Sequence, residues 1–279
     1  MYTTDYFILS STFPWATQKA FLRVAGRGVP VVATRAARLY GGGSTGDTSR
    51  APPAFRRAGA LSGMRPTIVA VGGFNSNTGK TTLLCELLRA LPGWAALKMT
   101  RGHYRSCGKD PRACCVSPLL GAEPVVRSGR AETYAQGKDT GRYWDAGASE
   151  VHWAIVTDGQ VESGFGAALG RVKSPGVLVE GNSFLRFFDV DFAVLVARAD
   201  VLKIKPSARR ALPKASALYL SDDGQRVDAA LRARFEGWWR SSGLEEVAPS
   251  LQVYTREGLP QLVARIAAAH ARASAARAS

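Results

Sequence analysis

The ten residues GFNSNTGKTT, from Gly73 to Thr82, decide the fold class of this sequence. They follow the run 67–71, whose β-branched residues are typical of a buried strand. They precede the run 81–91, in which leucines recur at helical spacing. A Gly-Lys-Thr loop between a strand and a helix indicates a phosphate loop, because backbone N–H groups and a helix N-terminus together form a cradle for anions.

The phosphate loop predicts a set of nucleotide-binding residues. Lys80 is expected to reach the terminal phosphates and to act in catalysis, and the Thr81 hydroxyl is expected to bind Mg²⁺. Phe74 stands where the usual pattern has its first glycine, but Gly72 and Gly73 just before it still allow a turn. The predicted nucleotide-binding residues are Asn77, Thr78, Gly79, Lys80, Thr81 and Thr82.

An acidic partner for the magnesium follows the apolar run 177–179. Glu180 ends this run and is expected at the carboxyl edge of a central strand, where ligands bind in open α/β sheets. The alternative is an ordinary loop glutamate at a strand end. We expect Glu180 to hold Mg²⁺ together with Thr81 and to act in catalysis.

The rest of the chain predicts an α/β fold with a mostly parallel sheet and helices on both faces, as in P-loop NTPases. The low-complexity tail 268–279 is expected to be a frayed helix end. Strands are expected at 67–71, 95–99, 151–156, 177–179, 192–196 and 218–220, and helices at 81–91, 226–239 and 259–270.

Composition divides the 279 residues into two parts with different character. Residues 1–63 contain eight basic and two acidic residues, and we expect a disordered basic extension; a transit peptide and a true start at Met64 are alternatives. Residues 64–279 are expected to form the phosphate-loop domain. The net charge of +15 favours anionic partners, and no apolar run approaches the ~18 residues of a membrane span, so a cytoplasmic protein is expected.

Four segments together resemble the MobB family, the P-loop proteins of molybdopterin-guanine dinucleotide biosynthesis in the SIMIBI class. They are 76–84, 97–100, 137–140 and 179–181, within a resemblance that covers about residues 66–200. The resemblance implies binding of GTP or ATP with Mg²⁺ and a cofactor-biosynthesis enzyme as partner. It leaves a homodimer open.

The sequence also departs from that family. Thr100 is followed by Arg101, Gly102 and a single His103 where the family has two histidines, and the stretch 101–136 is longer. Asn182-Ser183 replaces the usual Phe and Lys after the acidic strand end. These differences suggest a divergent relative with its own substrate or partner.

A second anion or a substrate is expected near Lys98, Thr100 and Lys138, with Asp139 orienting a nucleophile. Asp139 could instead only cap a helix, and Lys98 could reach solvent from a strand end. A lysine on a short apolar strand needs a partner, and a phosphate or Glu180 would supply one.

A cysteine-rich stretch could form a second kind of site. His103, Cys107, Cys114 and Cys115 could bind a soft metal, although their spacing fits no standard zinc pattern, and reduced thiols in a surface loop are the alternative. Asp200 is the only residue retained from a guanine-reading motif, so the sequence leaves GTP and ATP open.

Three functions compete at this point. The first is a MobB-like adaptor that binds and hydrolyses a purine nucleotide with Mg²⁺. The second is a small-molecule kinase or ligase that uses the same loop. The third is a nucleic-acid-binding module, which only the net charge favours, because no recognised nucleic-acid motif is present.

Overall fold

The structure is a computed structural model, and it describes residues 65–102, 116–221 and 227–278. The expected extension 1–63 lies outside these residues. So does the expected soft-metal site of His103, Cys107, Cys114 and Cys115.

The described residues form one eight-stranded sheet. Its strands are β1 (Thr67–Gly73), β2 (Ala95–Arg101), β3 (Val125–Ser128), β4 (Val151–Val156), β5 (Gly176–Glu180), β6 (Phe192–Arg198), β7 (Ala217–Ser221) and β8 (Gln252–Tyr254). Their order across the sheet is β3-β4-β2-β5-β1-β6-β7-β8. Neighbouring strands are parallel except β3, which runs antiparallel to β4.

Eight α-helices accompany the sheet in the described part of the chain. They are α1 (Lys80–Ala90), α2 (Arg130–Thr133), α3 (Asp139–Asp145), α4 (Val161–Leu169), α5 (Pro206–Ala211), α6 (Ala229–Ser241), α7 (Leu244–Val247) and α8 (Leu259–Ala278). Short 3₁₀ turns at Ser183–Arg186 and Leu212–Lys214 follow β5 and α5.

The sheet separates two hydrophobic cores because side chains alternate between its faces. Ile68 and Ala70 of β1 pack with α4, α5 and α6 on one face. Val69 and Val71 pack with α1, α3 and α8 on the other. β1 is therefore buried along its whole length, as expected for a central parallel strand.

This architecture confirms the predicted α/β class with helices on both faces, and its strand–loop–helix start is that of P-loop NTPases. The strands β3 and β8 were not predicted, because they are short and only partly buried. None of the described helices combines the length and the apolar character that a membrane span requires.

The expectation of a frayed tail is wrong. α8 continues to Ala278, and the Arg277 guanidinium donates a hydrogen bond of 2.9 Å to the Thr67 hydroxyl at the start of β1. His270 Nδ1 lies 2.7 Å from the same hydroxyl. The alanine-rich sequence does not predict this packing, because His270 and Arg277, which contact Thr67, are polar and show no apolar pattern.

Candidate functional site

The loop between β1 and α1 has the backbone shape of an anion cradle. Gly79 precedes α1 with a φ of 82°, and Asn77 has a φ of 56°, so the chain turns in the left-handed region that glycine and asparagine tolerate best. No side chain in the described residues caps α1, so the first N–H groups of the helix remain open for an anion.

Phe74 explains the departure from the usual glycine pattern. Its ring is fully buried and stacks on Trp239, with ring centroids 6.1 Å apart and an interplanar angle of 11°. Phe235 lies 6.5 Å from the same ring. The aromatic residue therefore anchors the base of the loop to α6.

Lys80 begins α1 and turns back towards the loop. Its Nζ donates to the Asn75 carbonyl at 3.3 Å. Burial lowers the pKa of Lys80, and the nearby Glu180 carboxylate only partly opposes this effect. A bound phosphate would give the ammonium a stronger partner than one carbonyl.

Glu180 lies at the carboxyl end of β5 beside the loop, as the sequence predicts. It pairs in register with Val71 of β1, and it is only 6% exposed. Its Oε2 accepts a hydrogen bond of 2.8 Å from the Thr81 hydroxyl and another from the Tyr143 phenol. Burial and then the Glu180 carboxylate raise the pKa of Tyr143 well above its usual range, so the phenol remains a donor.

Lys98 joins Glu180 to Asp139. Its ammonium bonds to Asp139 Oδ2 and lies 3.4 Å from Glu180 Oε1. Burial disfavours the charge on Lys98, but the two carboxylates outweigh burial and raise its pKa. Burial likewise opposes the charge on Asp139, yet Lys98 lowers the pKa of that carboxyl. Lys98, Asp139 and Glu180, singled out from the sequence, thus form one connected network.

The other predicted residues lie around this network or at its margin. Thr78 is buried and donates to the Asn75 carbonyl at 3.3 Å. Thr82 accepts from Arg142 at 3.2 Å, and Thr100 accepts from the Trp153 indole at 2.8 Å. Lys138 is exposed at the start of α3.

Asp200, the candidate residue for recognising guanine, is paired with Arg198. Its two carboxylate oxygens accept hydrogen bonds from Arg198 at 2.9 and 2.6 Å. This pairing, first among the causes, lowers the pKa of Asp200. The carboxylate would have to leave Arg198 before it could read a base.

Asn182 is a residue whose role the sequence did not reveal. Its buried amide accepts from the Gly73 N–H at 2.8 Å and donates to the Gly73 carbonyl at 3.0 Å. A Cβ at Gly73 would come within 2.6 Å of the Thr78 hydroxyl, so a larger residue there would have to displace that side chain. Asn182 therefore fixes the start of the phosphate loop from the turn that follows β5.

Lys205 is a second residue that sequence reasoning missed. Its backbone N–H donates to the Phe74 carbonyl at 2.9 Å, and the Asn75 amide donates to the Lys203 carbonyl at 2.6 Å. Burial, then repulsion from Lys80 and Arg101, lowers the pKa of Lys205 to about 8. The only available signal was two lysines following a predicted strand.

The site offers hard oxygen donors suited to Mg²⁺. The described residues contain no group of three or more His, Cys, Asp or Glu side chains that could hold a metal alone. Thr81 and Glu180 present a hydroxyl and a carboxylate at hydrogen-bond distance from each other. Mg²⁺ typically takes one or two such ligands and completes its shell with phosphate oxygens and water, so these residues fit it.

Comparison with solved structures gives distant likenesses, of which HypB is one. The chain is similar to HypB from Helicobacter pylori, whose crystal structure contains nickel, with a TM-score of 0.44 and 12% sequence identity over 75% of this chain and 89% of HypB. The sequence matches no protein-family model, and no curated protein matches it. The ligand must therefore be inferred from the site itself.

Proposed function

We propose that this protein binds a purine nucleoside triphosphate, GTP or ATP, together with Mg²⁺ and hydrolyses it. One observation carries the proposal: the Thr81 hydroxyl at the start of α1 bonds to the buried Glu180 carboxylate at 2.8 Å, next to Lys80 and an uncapped helix N-terminus. A hydroxyl, a carboxylate and an ammonium in this arrangement match the chemistry of a magnesium triphosphate.

Each residue then has a definite task. The N–H groups of the loop and of α1 bind phosphate oxygens, and Lys80 neutralises the terminal phosphates. Thr81 and Glu180 hold Mg²⁺, which supplies positive charge to the phosphoryl group when bound. Lys98 contacts Glu180 and fixes its orientation, and Asp139, partly exposed beside it, orients the attacking nucleophile.

The biological role we propose is that of a MobB-like adaptor in a cofactor-biosynthesis pathway. The proposal rests on the phosphate loop, the strand with Lys98 and Thr100, the segment with Lys138 and Asp139, and the end of the strand at Glu180. In this role, nucleotide binding and hydrolysis would control association with a biosynthetic enzyme.

A nucleotide panel tests the proposal directly. The full chain is titrated with ATP, GTP, ADP and GDP, with and without Mg²⁺, while binding and release of free phosphate are measured. We expect saturable, Mg²⁺-strengthened binding of at least one triphosphate. No binding of either triphosphate at millimolar concentration would overturn the proposal.

A small-molecule kinase or ligase is the second candidate. The observation that favours it is a basic pocket at the same edge of the sheet, lined by Arg101, Arg186 and Arg210. Product analysis separates the two functions. Free phosphate without a phosphorylated acceptor indicates hydrolysis, whereas a phosphorylated acceptor indicates transfer.

A further inference from the structure

A pocket of about 410 Å³ opens at the carboxyl edge of the sheet, among the ends of β2, β4, β5 and α5. Four cationic residues and one acidic residue line it. The cations are Arg101, Arg186, Arg210 and Lys214, and the acid is Asp158. The volume suits a small molecule, and the excess of positive charge suits an anion.

Two of these cations have no carboxylate beside them in the described part of the chain. Arg101 pairs with Asp158 at 3.1 Å, and Lys214 pairs with Asp189 at 2.9 Å. No carboxylate of the described residues lies within salt-bridge distance of Arg186 or Arg210. Arg186 lies 5.4 Å over the Phe187 ring, a contact that leaves its N–H groups available. Among the described residues, both guanidiniums can therefore form charge-assisted, bidentate hydrogen bonds with a ligand.

The rest of the wall completes a site for an organic anion. Ser183 and Ser207 line the pocket with hydroxyl groups, while Val161, Leu185 and Phe187 add apolar surface. A simple surface patch of arginines would offer neither enclosure nor apolar contact. The combination matches a small organic molecule that carries charged groups around a carbon skeleton.

The pocket is also connected to the phosphate loop. Asn182, which lines it, holds the backbone of Gly73. Lys205 lies within electrostatic reach of both Arg101 in the pocket and Lys80 in the loop. A ligand in the pocket would therefore lie beside the nucleotide site rather than within it.

We propose that this pocket binds a small organic polyanion, bearing at least two carboxylate or phosphate groups, as a second ligand. Arg186 and Arg210 are the principal contacts, and Arg101 contributes from the end of β2. The pocket draws its ligand contacts from residues other than Lys80, Thr81 and Glu180, so its occupancy does not require the nucleotide.

Calorimetric titration of the full chain without nucleotide tests this proposal. The probes are citrate and fructose 1,6-bisphosphate, which distinguish carboxylate from phosphate recognition. We expect one saturable site for at least one probe. Arg210→Gln should weaken binding about tenfold or more, because it removes a charge-assisted contact.

Two control variants locate the binding. Arg209→Gln removes the same charge from the neighbouring position of α5, outside the pocket, and should change affinity less than about twofold. Lys80→Ala should leave probe binding intact even if it abolishes nucleotide binding. Equal losses in the two arginine variants would overturn the proposal, as would loss in Lys80→Ala alone, or no binding of either probe.

Discussion

The two faces of the sheet carry opposite charge patterns where they meet the carboxyl edge. On the α1 face, Lys98 lies between two carboxylates, Asp139 and Glu180. On the α4 and α5 face, Arg186 and Arg210 line a pocket, and neither arginine forms a salt bridge with a carboxylate of the described residues. The first pattern suits a metal-bound phosphate, and the second suits a free anion.

One strand produces both patterns. Side chains alternate along β2, so Lys98 points to the α1 face, whereas Arg101, three residues later, points with Leu97 and Met99 to the other face. The net charge of +15 is therefore not spread uniformly over the surface of this protein. If the two faces act separately, substitutions on one face should leave ligand binding on the other unchanged.

The largest expected effect is that of Lys80→Ala on the α1 face. Nucleoside triphosphate affinity should fall more than about 100-fold, because the ammonium makes charge-assisted contacts with the terminal phosphates. Folding should persist, since burial already disfavours the charge on Lys80. Fluorescent-nucleotide titration and thermal unfolding measure the two properties.

Lys173→Ala is the matched control, because Lys173 is exposed after α4. It should bind nucleotide as the unaltered protein does. If Lys80→Ala bound nucleotide with normal affinity, the phosphate-loop interpretation would be wrong, and the contrast between the two faces would no longer hold.

Glu180→Gln is expected to have the next largest effect. Mg²⁺-dependent turnover, or Mg²⁺-dependent affinity if turnover is absent, should fall about 100-fold, in line with the loss of one electrostatic contact in a transition state. The carboxamide can still accept from Thr81 and Tyr143, so the structure should survive. Activity at increasing Mg²⁺ concentration measures the effect.

Glu245→Gln removes one exposed carboxylate from α7 and serves as the control. It should leave the Mg²⁺ dependence unchanged. If Glu180→Gln also leaves it unchanged, the metal is held elsewhere, and Asp139 becomes the next residue to replace.

The positions of Lys80 and Glu180 could be predicted from the sequence for a physical reason. Lys80 belongs to a contiguous motif, and Glu180 ends an apolar run, so strand topology alone brings both to one edge of the sheet. Lys98 could be singled out from the sequence because an ammonium on an apolar strand is rarely buried without a partner. Local pattern plus the geometry of parallel sheets was sufficient for these three residues, whereas for Asp139 the pattern left a helix cap as an alternative.

Other contacts could not be predicted because they depend on packing between distant segments. Asn182 meets Gly73 across 109 positions in the chain, and no local pattern fixes the direction of its amide. Phe74 was noticed only as a missing glycine, and its stacking on Trp239 requires the position of α6. The pocket arginines come from three separate segments, whose approach only the fold determines.

Asn182→Ala tests the contact that joins the two faces. It leaves the buried N–H of Gly73 without its side-chain acceptor, and we expect a loss of about 1–3 kcal/mol in the free energy of unfolding. Denaturant unfolding measures this loss. Asn75→Ala removes an exposed hydrogen bond from the same loop and should cost less than about 1 kcal/mol. Equal losses would show that Asn182 has no special role in holding the loop.

The smallest expected effect concerns the pH dependence of Lys205, which interacts electrostatically with Lys80 on one face and Arg101 on the other. Its pKa is lowered to about 8, chiefly by burial and then by Lys80 and Arg101. Without ligand, the unfolded chain binds the proton more tightly than the folded chain. This group therefore makes the folded state more stable as pH rises from about 8 towards 10.5, the ordinary pKa of a lysine. Bound triphosphate reverses the balance, because its negative charge favours the ammonium.

Nucleotide binding should therefore take up a proton near pH 8, and affinity should fall roughly five- to tenfold between about pH 7.5 and about pH 9. Calorimetry in buffers of different ionisation enthalpy measures the uptake. Lys205→Met should flatten this pH dependence, whereas Lys203→Met, an exposed lysine two residues earlier, should retain it. The pKa of Lys80 is also lowered, so Lys80 could take up the proton instead. Only the comparison of these two variants shows which lysine binds it. If Lys205→Met keeps the full dependence, the proton belongs to Lys80, and Lys205 does not link the two faces.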